Sequence, residues 1–307
     1  MQIMNYQRIL YDMLANSAPI ILCVLGGNYA HKANVLNISL EGMMLIGAFA
    51  SVLFVSITGS LLAGVLMGII ITLVFGLVFS FMSVTQKGNP IIIGLAINIF
   101  AYSISAFVLK AMNVANLNVN NIVDVAGLKI NIPLIKDIPF VGQIVSGHPL
   151  VTYVSFIGIF IMWLIMYKTK FGIYIRVVGE NEDAAHSVGI NTDKIKYIAI
   201  LIGAFCCGLA GINLALEKMA LFTNGMSAGI GFIAIAAIFC GQGRPGRSSL
   251  YAILFGLAQS LAVNLNISAG PASGLFKTLP YFIIVIILTV VSIIQMKNNR
   301  VRGFKNE

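Results

Sequence analysis

The chain has 307 residues and a net charge of +9, yet only 9% of its side chains are charged and 59% are hydrophobic. An ordinary soluble domain carries about 25% charged residues, so this composition, with a mean hydropathy of +0.96, excludes a soluble all-helical protein and makes nucleic acid an unexpected partner. The sequence predicts an integral membrane protein in contact with lipid.

Long intervals without Asp, Glu, Lys or Arg run through the chain. A helix needs roughly 20 apolar residues to cross about 30 Å of hydrocarbon, whereas barrel strands alternate apolar and polar residues in short segments. These intervals do not alternate, so we predict a single all-α domain over 1–307, a polytopic bundle of eight to ten transmembrane spans. The predicted spans lie near 7–29, 34–57, 60–83, 90–110, 149–167, 195–217, 225–241, 248–265 and 272–296.

Polar residues open the second predicted span. Glu41 is the only acid in the 33–86 stretch, and an ionisable residue at membrane depth is a functional candidate because its burial is costly. Asn37, four residues earlier, would lie on the same helical face, and Gly42 favours a kink or a break. We expect a broken or kinked second span in which Asn37, Ser39 and Glu41 line or brace a translocation path. The alternative is a purely structural role for Glu41.

Further polar and aromatic residues lie inside the later spans. Amides can hydrogen-bond a solute without the cost of a full charge, and aromatic rings can stack on a flat solute. The same residues equally hold helices together, so both interpretations stay open. The candidates for the translocation path are Asn98, Phe232 and Gln259, and further intramembrane amides are Asn213 and Asn264.

The distribution of basic residues predicts the orientation in the membrane. Lys and Arg in short loops mark the cytoplasmic side, and three basic regions lie at 168–196, 244–247 and 297–305. Counting spans backward from a cytoplasmic C-terminus places all three on one side. The same count places the long 112–148 loop, whose charges balance, outside. The side of the N-terminus stays open.

The 168–196 loop carries nine of the 29 charged side chains, 19 basic and 10 acidic, between two hydrophobic stretches. Within it, Asn181 followed by two acids is typical of a helix start, and Gly189 is typical of a left-handed helix stop. We therefore predict a short helix over 182–188.

This short helix has a small apolar surface. Ala184, Ala185 and Val188 are spaced to lie near one another, and we expect them to be exposed. Such a surface suits a groove in a cytosolic partner. The alternative is an ordinary amphipathic connector that rests on the bilayer surface.

Three strings of this sequence resemble one protein family. GENEDAAHSVGINTDKIK at 179–196, entered by FGIYIRVV, is similar to the cytoplasmic loop of permeases of ATP-driven importers in the ribose, branched-chain amino acid and nucleoside group. NVLNISLEGMMLIGAFAS at 34–51 looks like the Asn-Ile-x-x-Glu-Gly signature of that group, and GFIAIAAIFCGQGRPG at 231–246 resembles its late motif of small residues. The chain looks most like the smaller of the two permease subunits of bacterial nucleoside importers.

The resemblance implies a transport subunit, not an enzyme, that forms the translocation path for nucleosides in a bacterial plasma membrane. A separate cytosolic ATP-binding-cassette ATPase would bind ATP and Mg, so no cofactor is expected on this chain. The other expected partners are a second permease subunit, giving a heterodimer, and an extracellular substrate-binding lipoprotein. The match makes 180–189 the coupling helix, and the implied ATPase-coupling residues are Glu180, Asn181, Asp183, Ala184, Ala185, Val188 and Gly189.

Two alternatives to nucleoside import stay open. The same class of importer carries ribose-like sugars or branched-chain amino acids in other members of the group, and no residue here decides between these substrates. A secondary carrier or channel would need coupling charges in its core, and Glu41 is the one convincing candidate.

Two further patterns argue against nucleotide binding and catalysis by this chain. GQGRPGRS at 241–248 has the spacing of a phosphate-binding loop, but Arg247 replaces the essential Lys and the string joins two predicted spans. The histidines lie in three separate loops, which gives a membrane enzyme no catalytic cluster. They are His31, His148 and His186.

Overall fold

The computed structural model describes residues 6–132, 141–268, 278, 281–291 and 293. In this part of the chain, seven helices are long and apolar enough to cross a membrane, and two shorter apolar helices accompany them. The predicted all-α polytopic bundle is confirmed. The helices are α1 Tyr6–Lys32, α2 Leu40–Thr58, α3 Leu61–Ser80, α4 Pro90–Ala111, α5 Val141–Val145, α6 Leu150–Lys168, α7 Lys170–Glu180, α8 Glu182–Ser187, α9 Thr192–Ile212, α10 Ile230–Cys240, α11 Pro245–Ser268 and α12 Tyr281–Val291.

Two of the predicted spans are broken. α2 begins at Leu40, after a non-helical segment over 33–39, which confirms the break expected in the second span. The continuous span predicted over 225–241 is wrong, because α10 starts only at Ile230 and has 11 residues. Such a helix is about 16 Å long, roughly half the thickness of the hydrocarbon layer.

Other helix ends follow local signals in the sequence. Gly59, in the left-handed region, ends α2, and Ser60 caps α3. The Asn89 side chain accepts the Ile91 amide at 2.9 Å, and Pro90, whose missing N–H costs nothing at a helix start, opens α4. Two π-helical segments, Phe81–Thr85 and Asn213–Glu217, extend α3 and α9. About half of the predicted 272–296 span, and the whole basic tail over 297–305, lie outside the described residues.

One end of the bundle, which we call the basic face, gathers the ends of α1, α3, α7 and α10. Gly179 at the end of α7 packs directly on the Lys32 backbone, and Gly243, in the turn between α10 and α11, packs on His31. The Lys196 ammonium lies 2.6 Å from the Glu182 carboxylate. The 168–196 loop therefore lies at the C-terminal end of α1.

The opposite end, the loop face, holds the described parts of the connection between α4 and α6, over 112–132 and 141–149. Its strands are β1 Asn116–Asn118, β2 Lys129–Ile130, β3 His148–Pro149 and β4 Leu221–Thr223; β1 pairs antiparallel with β4, and β2 with β3. The Tyr11 hydroxyl donates to the Gly147 carbonyl at 2.7 Å, which places the start of α1 here. The long loop and the 168–196 loop thus lie at opposite ends, and α1 runs from the loop face to the basic face.

Small residues bring the central helices together. A Cβ atom on Gly26 of α1 would lie 2.7 Å from the Cα atom of Gly203 on α9, and Gly211 of α9 packs on the Met44 carbonyl of α2. Lipid and Leu side chains are equally apolar, so close van der Waals packing of backbones stabilises helix contacts in a membrane. α9 therefore joins α1 and α2, whose relative placement shapes the interior described below.

The Gly26→Ala variant is expected to lower the unfolding temperature of the purified protein in detergent. The added methyl group meets backbone atoms of α9, and inserting a methyl group into a packed interface costs about 1–3 kcal/mol. Gly246→Ala is the matched control, since nothing lies within 4 Å of an added Cβ atom there. Equal unfolding temperatures of the two variants would contradict the close approach of α1 and α9.

Candidate functional site

The Glu41 carboxylate, in the first turn of α2, binds the start of α10. Its Oε1 atom accepts hydrogen bonds from the Ser227 hydroxyl at 2.6 Å and the Gly229 amide at 2.8 Å. Its Oε2 atom accepts one from the Gly231 amide at 2.6 Å. The first N–H groups of a helix lack intrahelical partners and carry partial positive charge. Glu41 therefore supplies both the acceptors and the negative charge that the start of α10 requires.

Glycine is required on the α10 side of this contact. Gly229 has a φ of +80°, which favours glycine. A Cβ atom on Gly231 would lie 2.5 Å from the Glu41 Cα atom, so a side chain there would push α2 away. The two glycines let the backbone of α10 come within hydrogen-bonding distance of a short acidic side chain.

Asn98 of α4 binds the other side of the break before α2. Its Oδ1 atom accepts the Gly42 amide at 2.8 Å, and its Nδ2 atom donates to the Ile38 carbonyl at 3.0 Å. Asn98 lies two turns beyond Pro90, so it is about 12 Å along α4 from the basic face. The break before α2 is therefore inside the bundle, where backbone polar groups need protein partners.

Asn37 and Ser39 brace this break. The Asn37 Oδ1 atom accepts hydrogen bonds from the Ser39 amide at 2.9 Å and from its hydroxyl at 2.5 Å. Both residues are buried, and neither contributes to the wall of the cavity beside Glu41. Of the two roles expected for these residues, the geometry supports bracing.

A cavity of about 400 Å³ opens beside Glu41, between α4 and the start of α10. Three of the predicted residues, Glu41, Asn98 and Phe232, contribute to its wall, and so does Tyr102. The Glu41 and Asn98 side chains are already hydrogen-bonded to backbone groups, so the wall offers a solute mainly aliphatic and aromatic surface. We call this space the inner cavity.

Gln259 does not join this group. It lies on α11, where the next residue, Ser260, donates its hydroxyl to the Ile9 carbonyl at 2.7 Å. That contact places this part of α11 against α1, and Gln259 does not contribute to the wall of the inner cavity. A single amide in an apolar span does not reveal which way it faces.

The partners of Glu41 were not identified from the sequence. Ser227, Gly229 and Gly231 lie inside the predicted 225–241 span. The apolar residues around them hid the start of the helix at Ile230. The signal that could have revealed them is a pair of glycines opening a helix inside a span. A helix that starts at membrane depth needs an acceptor, and Glu41 is the only acid in its own apolar stretch.

The two other amides hold helices together. Asn213 donates to the Glu217 carboxylate at 2.7 Å, and Glu217 accepts the Val151 amide at the start of α6 at 3.2 Å. Asn264 of α11 donates to Asp12 of α1 at 3.1 Å. Glu217, in the π-helical segment that extends α9, therefore joins α9 to α6.

The short helix predicted in the 168–196 loop is present as α8, Glu182–Ser187. The Asn181 side chain caps it by accepting the Ala184 amide at 2.9 Å, and Gly189 has a φ of +82°. The Lys196 ammonium hydrogen-bonds Glu182 and lowers the pKa of that carboxyl. α8 is therefore tied to the start of α9.

The expectation that three small residues form an exposed surface on α8 is wrong for one of them. Ala185 is completely buried and belongs to the main core cluster. Val188 is 73% exposed, and Ala184 and Asp183 are also exposed. A six-residue helix has fewer than two turns, so spacing alone could not show which side meets the bundle.

A second large cavity, of about 860 Å³, separates α8 from the rest of the basic face. Asn34 and Val35 from the break before α2 contribute to its wall, as do Lys87 and Asp183. α8 and the non-helical chain that leads to Glu41 therefore line the same cavity.

Residues 9–291 match the protein family described as "Branched-chain amino acid transport system / permease component". The chain is 36% identical over 276 residues to the guanosine ABC transporter permease protein NupQ of Bacillus subtilis, an alignment that covers 87% of this chain and 84% of that protein. It is 30% identical over 265 residues to the nucleoside ABC transporter permease protein NupC of Lactococcus lactis, covering 84% and 82%.

The fold is similar to that of a solved ABC transporter described as metal-chelate type, in an inward-facing conformation. The TM-score is 0.53 at 14% sequence identity, and the match covers 93% of this chain and 86% of that one. Proteins of this kind are membrane-embedded transport subunits, and ATP hydrolysis belongs to a separate ATPase. The chain belongs to the family of branched-chain amino acid transport system permease components.

Proposed function

We propose that this chain is the permease subunit of an ATP-driven importer and forms the translocation path for nucleosides in a bacterial plasma membrane. The observation that carries the proposal is the contact between Glu41 and the start of α10, which joins two broken spans inside the bundle beside a cavity. The names of the two relatives above support nucleosides as the substrate class. The aromatic wall residues Tyr102 and Phe232 suit a flat base.

The path needs a second wall. Tyr102 and Phe232 are 51% and 46% exposed, so the inner cavity opens on the side of the bundle. A hydrophilic solute cannot cross beside lipid, and a second permease subunit placed against this side would close the path. We propose a heterodimer, because the chain resembles the smaller of two permease subunits.

The two faces suit two further partners. The basic face, with α8 exposed on it, suits a cytosolic ATP-binding-cassette ATPase, which would bind ATP and Mg itself, so this chain needs no cofactor. The loop face, with its strand pairs β1–β4 and β2–β3, suits an extracellular substrate-binding lipoprotein. This orientation makes the C-terminus cytoplasmic.

The proposed ATPase-coupling surface contains Glu180, Asn181, Asp183, Ala184, Val188 and Gly189, with Ala185 beneath it.

We propose a route by which the ATPase acts on the inner cavity. α8 follows α7, whose residue Gly179 packs on the Lys32 backbone at the end of α1. From Lys32, the chain runs through the non-helical residues 33–39 to Glu41 in α2. Movement of α8 would therefore displace the break before α2 and separate Glu41 from Gly229 and Gly231. Because those bonds join two elements, they can break and re-form as one unit.

Cells that carry this permease with its partners are expected to take up radiolabelled guanosine, adenosine or uridine, and uptake should stop with an ATPase variant that cannot hydrolyse ATP. The measurement compares these nucleosides with ribose and leucine in cells with and without the gene. Uptake of ribose or leucine in place of nucleosides would show that nucleosides are not the substrate class. Uptake that continues with the inactive ATPase would indicate a secondary carrier.

Val188→Glu is expected to reduce uptake at least tenfold and to abolish co-purification of the ATPase, while the permease still folds. Val188 is 73% exposed on α8, so the charge meets the partner and not the core. Ile122→Glu, at an exposed apolar residue of the loop face, is the matched control and should keep the ATPase bound. Ala185→Leu should instead lower the unfolding temperature. ATPase bound normally to the Val188→Glu variant would contradict the docking role of α8.

Glu41→Gln is expected to reduce uptake at least tenfold while the ATPase still co-purifies. One carboxylate oxygen becomes an NH2 group that cannot accept from the amides at the start of α10. An unsatisfied buried donor costs about 1–3 kcal/mol, which favours separation of α2 from α10. Wild-type uptake by the Glu41→Gln variant would show that the contact plays no part in transport.

A further inference from the structure

A further cavity, different from the one at the basic face, lies next to the inner cavity. This outer cavity, of about 420 Å³, is at the loop face and is lined by Ala106, Lys110, Asn113 and Asn224, with three neighbouring residues. The inner and outer cavities have similar volumes, but their walls differ in character. The function proposed above makes the inner cavity part of the translocation path and assigns no role to the outer one.

The two cavities form one groove along α4. Asn98 and Tyr102 contribute to the inner wall, and Ala106 and Lys110 to the outer one. These positions are four residues apart, so they follow one face of the helix. The facing wall is also continuous, because Asn224 belongs to the outer cavity and the next residue to the inner one.

Tyr102 lies where the two cavities meet. Its ring is 3.3 Å from the position that a Cβ atom on Gly225 would occupy, so the ring packs on the backbone of the facing wall. One turn further along α4, the Ser105 hydroxyl lies 2.8 Å from the Tyr102 carbonyl and 3.2 Å from the Asn224 Oδ1 atom, so Asn224 lies against α4 at the edge of the outer cavity.

The chemistry of the groove changes along its length. The outer cavity presents the Lys110 ammonium and the amides of Asn113 and Asn224, which can hydrogen-bond hydroxyl groups. The inner cavity presents the rings of Tyr102 and Phe232, while its polar side chains are bound to backbone. A solute that fits both parts has hydroxyl groups at one end and a flat ring at the other.

We propose that this groove is a binding site for a nucleoside in transit, with the ribose in the outer cavity and the base against Tyr102 in the inner cavity. The proposal rests on the proposed function and adds the site and the orientation of the substrate. Ala106 and Tyr102 are about 6 Å apart along the axis of α4, so a solute about 10 Å long reaches both cavities. Ribose lacks the flat ring, and leucine lacks both hydroxyl groups and ring.

Cysteine modification on the assembled transporter tests this site. The four native cysteines are buried, so a membrane-impermeant methanethiosulfonate reagent should modify an introduced cysteine selectively. Guanosine or uridine at saturating concentration is expected to slow modification of the Ala106→Cys and Ile99→Cys variants at least threefold. Phe107→Cys is the control: its side chain is 67% exposed at the same depth but points about 100° away from the groove, so its rate should not change.

The orientation of the nucleoside in the groove is tested by comparing the two cysteine variants. A free base should protect the Ile99→Cys variant more than the Ala106→Cys variant, and ribose should show the reverse preference. Equal protection of both by each probe, or protection by leucine, would overturn the proposed orientation and chemistry. If nucleosides are taken up by the wild-type transporter but protect neither cysteine, the groove is wrong and the proposed function stands; if no nucleoside is taken up, the function itself fails.

Discussion

A helix that starts inside a hydrocarbon layer exposes N–H groups that water cannot reach, and each unsatisfied group costs several kcal/mol there. A carboxylate at the same depth has the opposite difficulty, since it needs donors. Glu41 and the start of α10 satisfy each other through three hydrogen bonds. The break before α2, the short length of α10, the amide bonds of Asn98 and the inner cavity between these elements all depend on that pairing.

Local signals predicted most of the fold. Charge-free intervals marked the spans because apolar length is what a membrane requires, and Asn181 marked the start of α8 because a cap is a property of adjacent residues. The partners of Glu41 could not be predicted in this way, since Gly231 is separated from it by 190 residues and the pairing has no local pattern. The surroundings of Ala185 and Gln259 could not be predicted for a related reason: their neighbours in sequence do not define the side of the helix that meets the bundle.

The polar side chains of the groove are unequally available to a solute. Near the loop face the amides and Lys110 can exchange partners with a solute, whereas at the depth of Glu41 the side chains are bound to backbone. A transport path must bind its solute weakly enough to release it. An apolar inner wall achieves this, because contact with aromatic rings involves no hydrogen bond that has to be broken before release.

The contact of Gly179 with the Lys32 carbonyl bears on how stiff the connection between the coupling loop and the bundle is. Side chains between two helices can change rotamer and absorb a displacement of an ångström or so, whereas backbone pressed on backbone has no such freedom. A small displacement of α7 is therefore passed to the end of α1 almost undiminished. Any residue other than glycine at 179 would bring its Cβ atom into collision with that carbonyl and push α7 away from the end of α1.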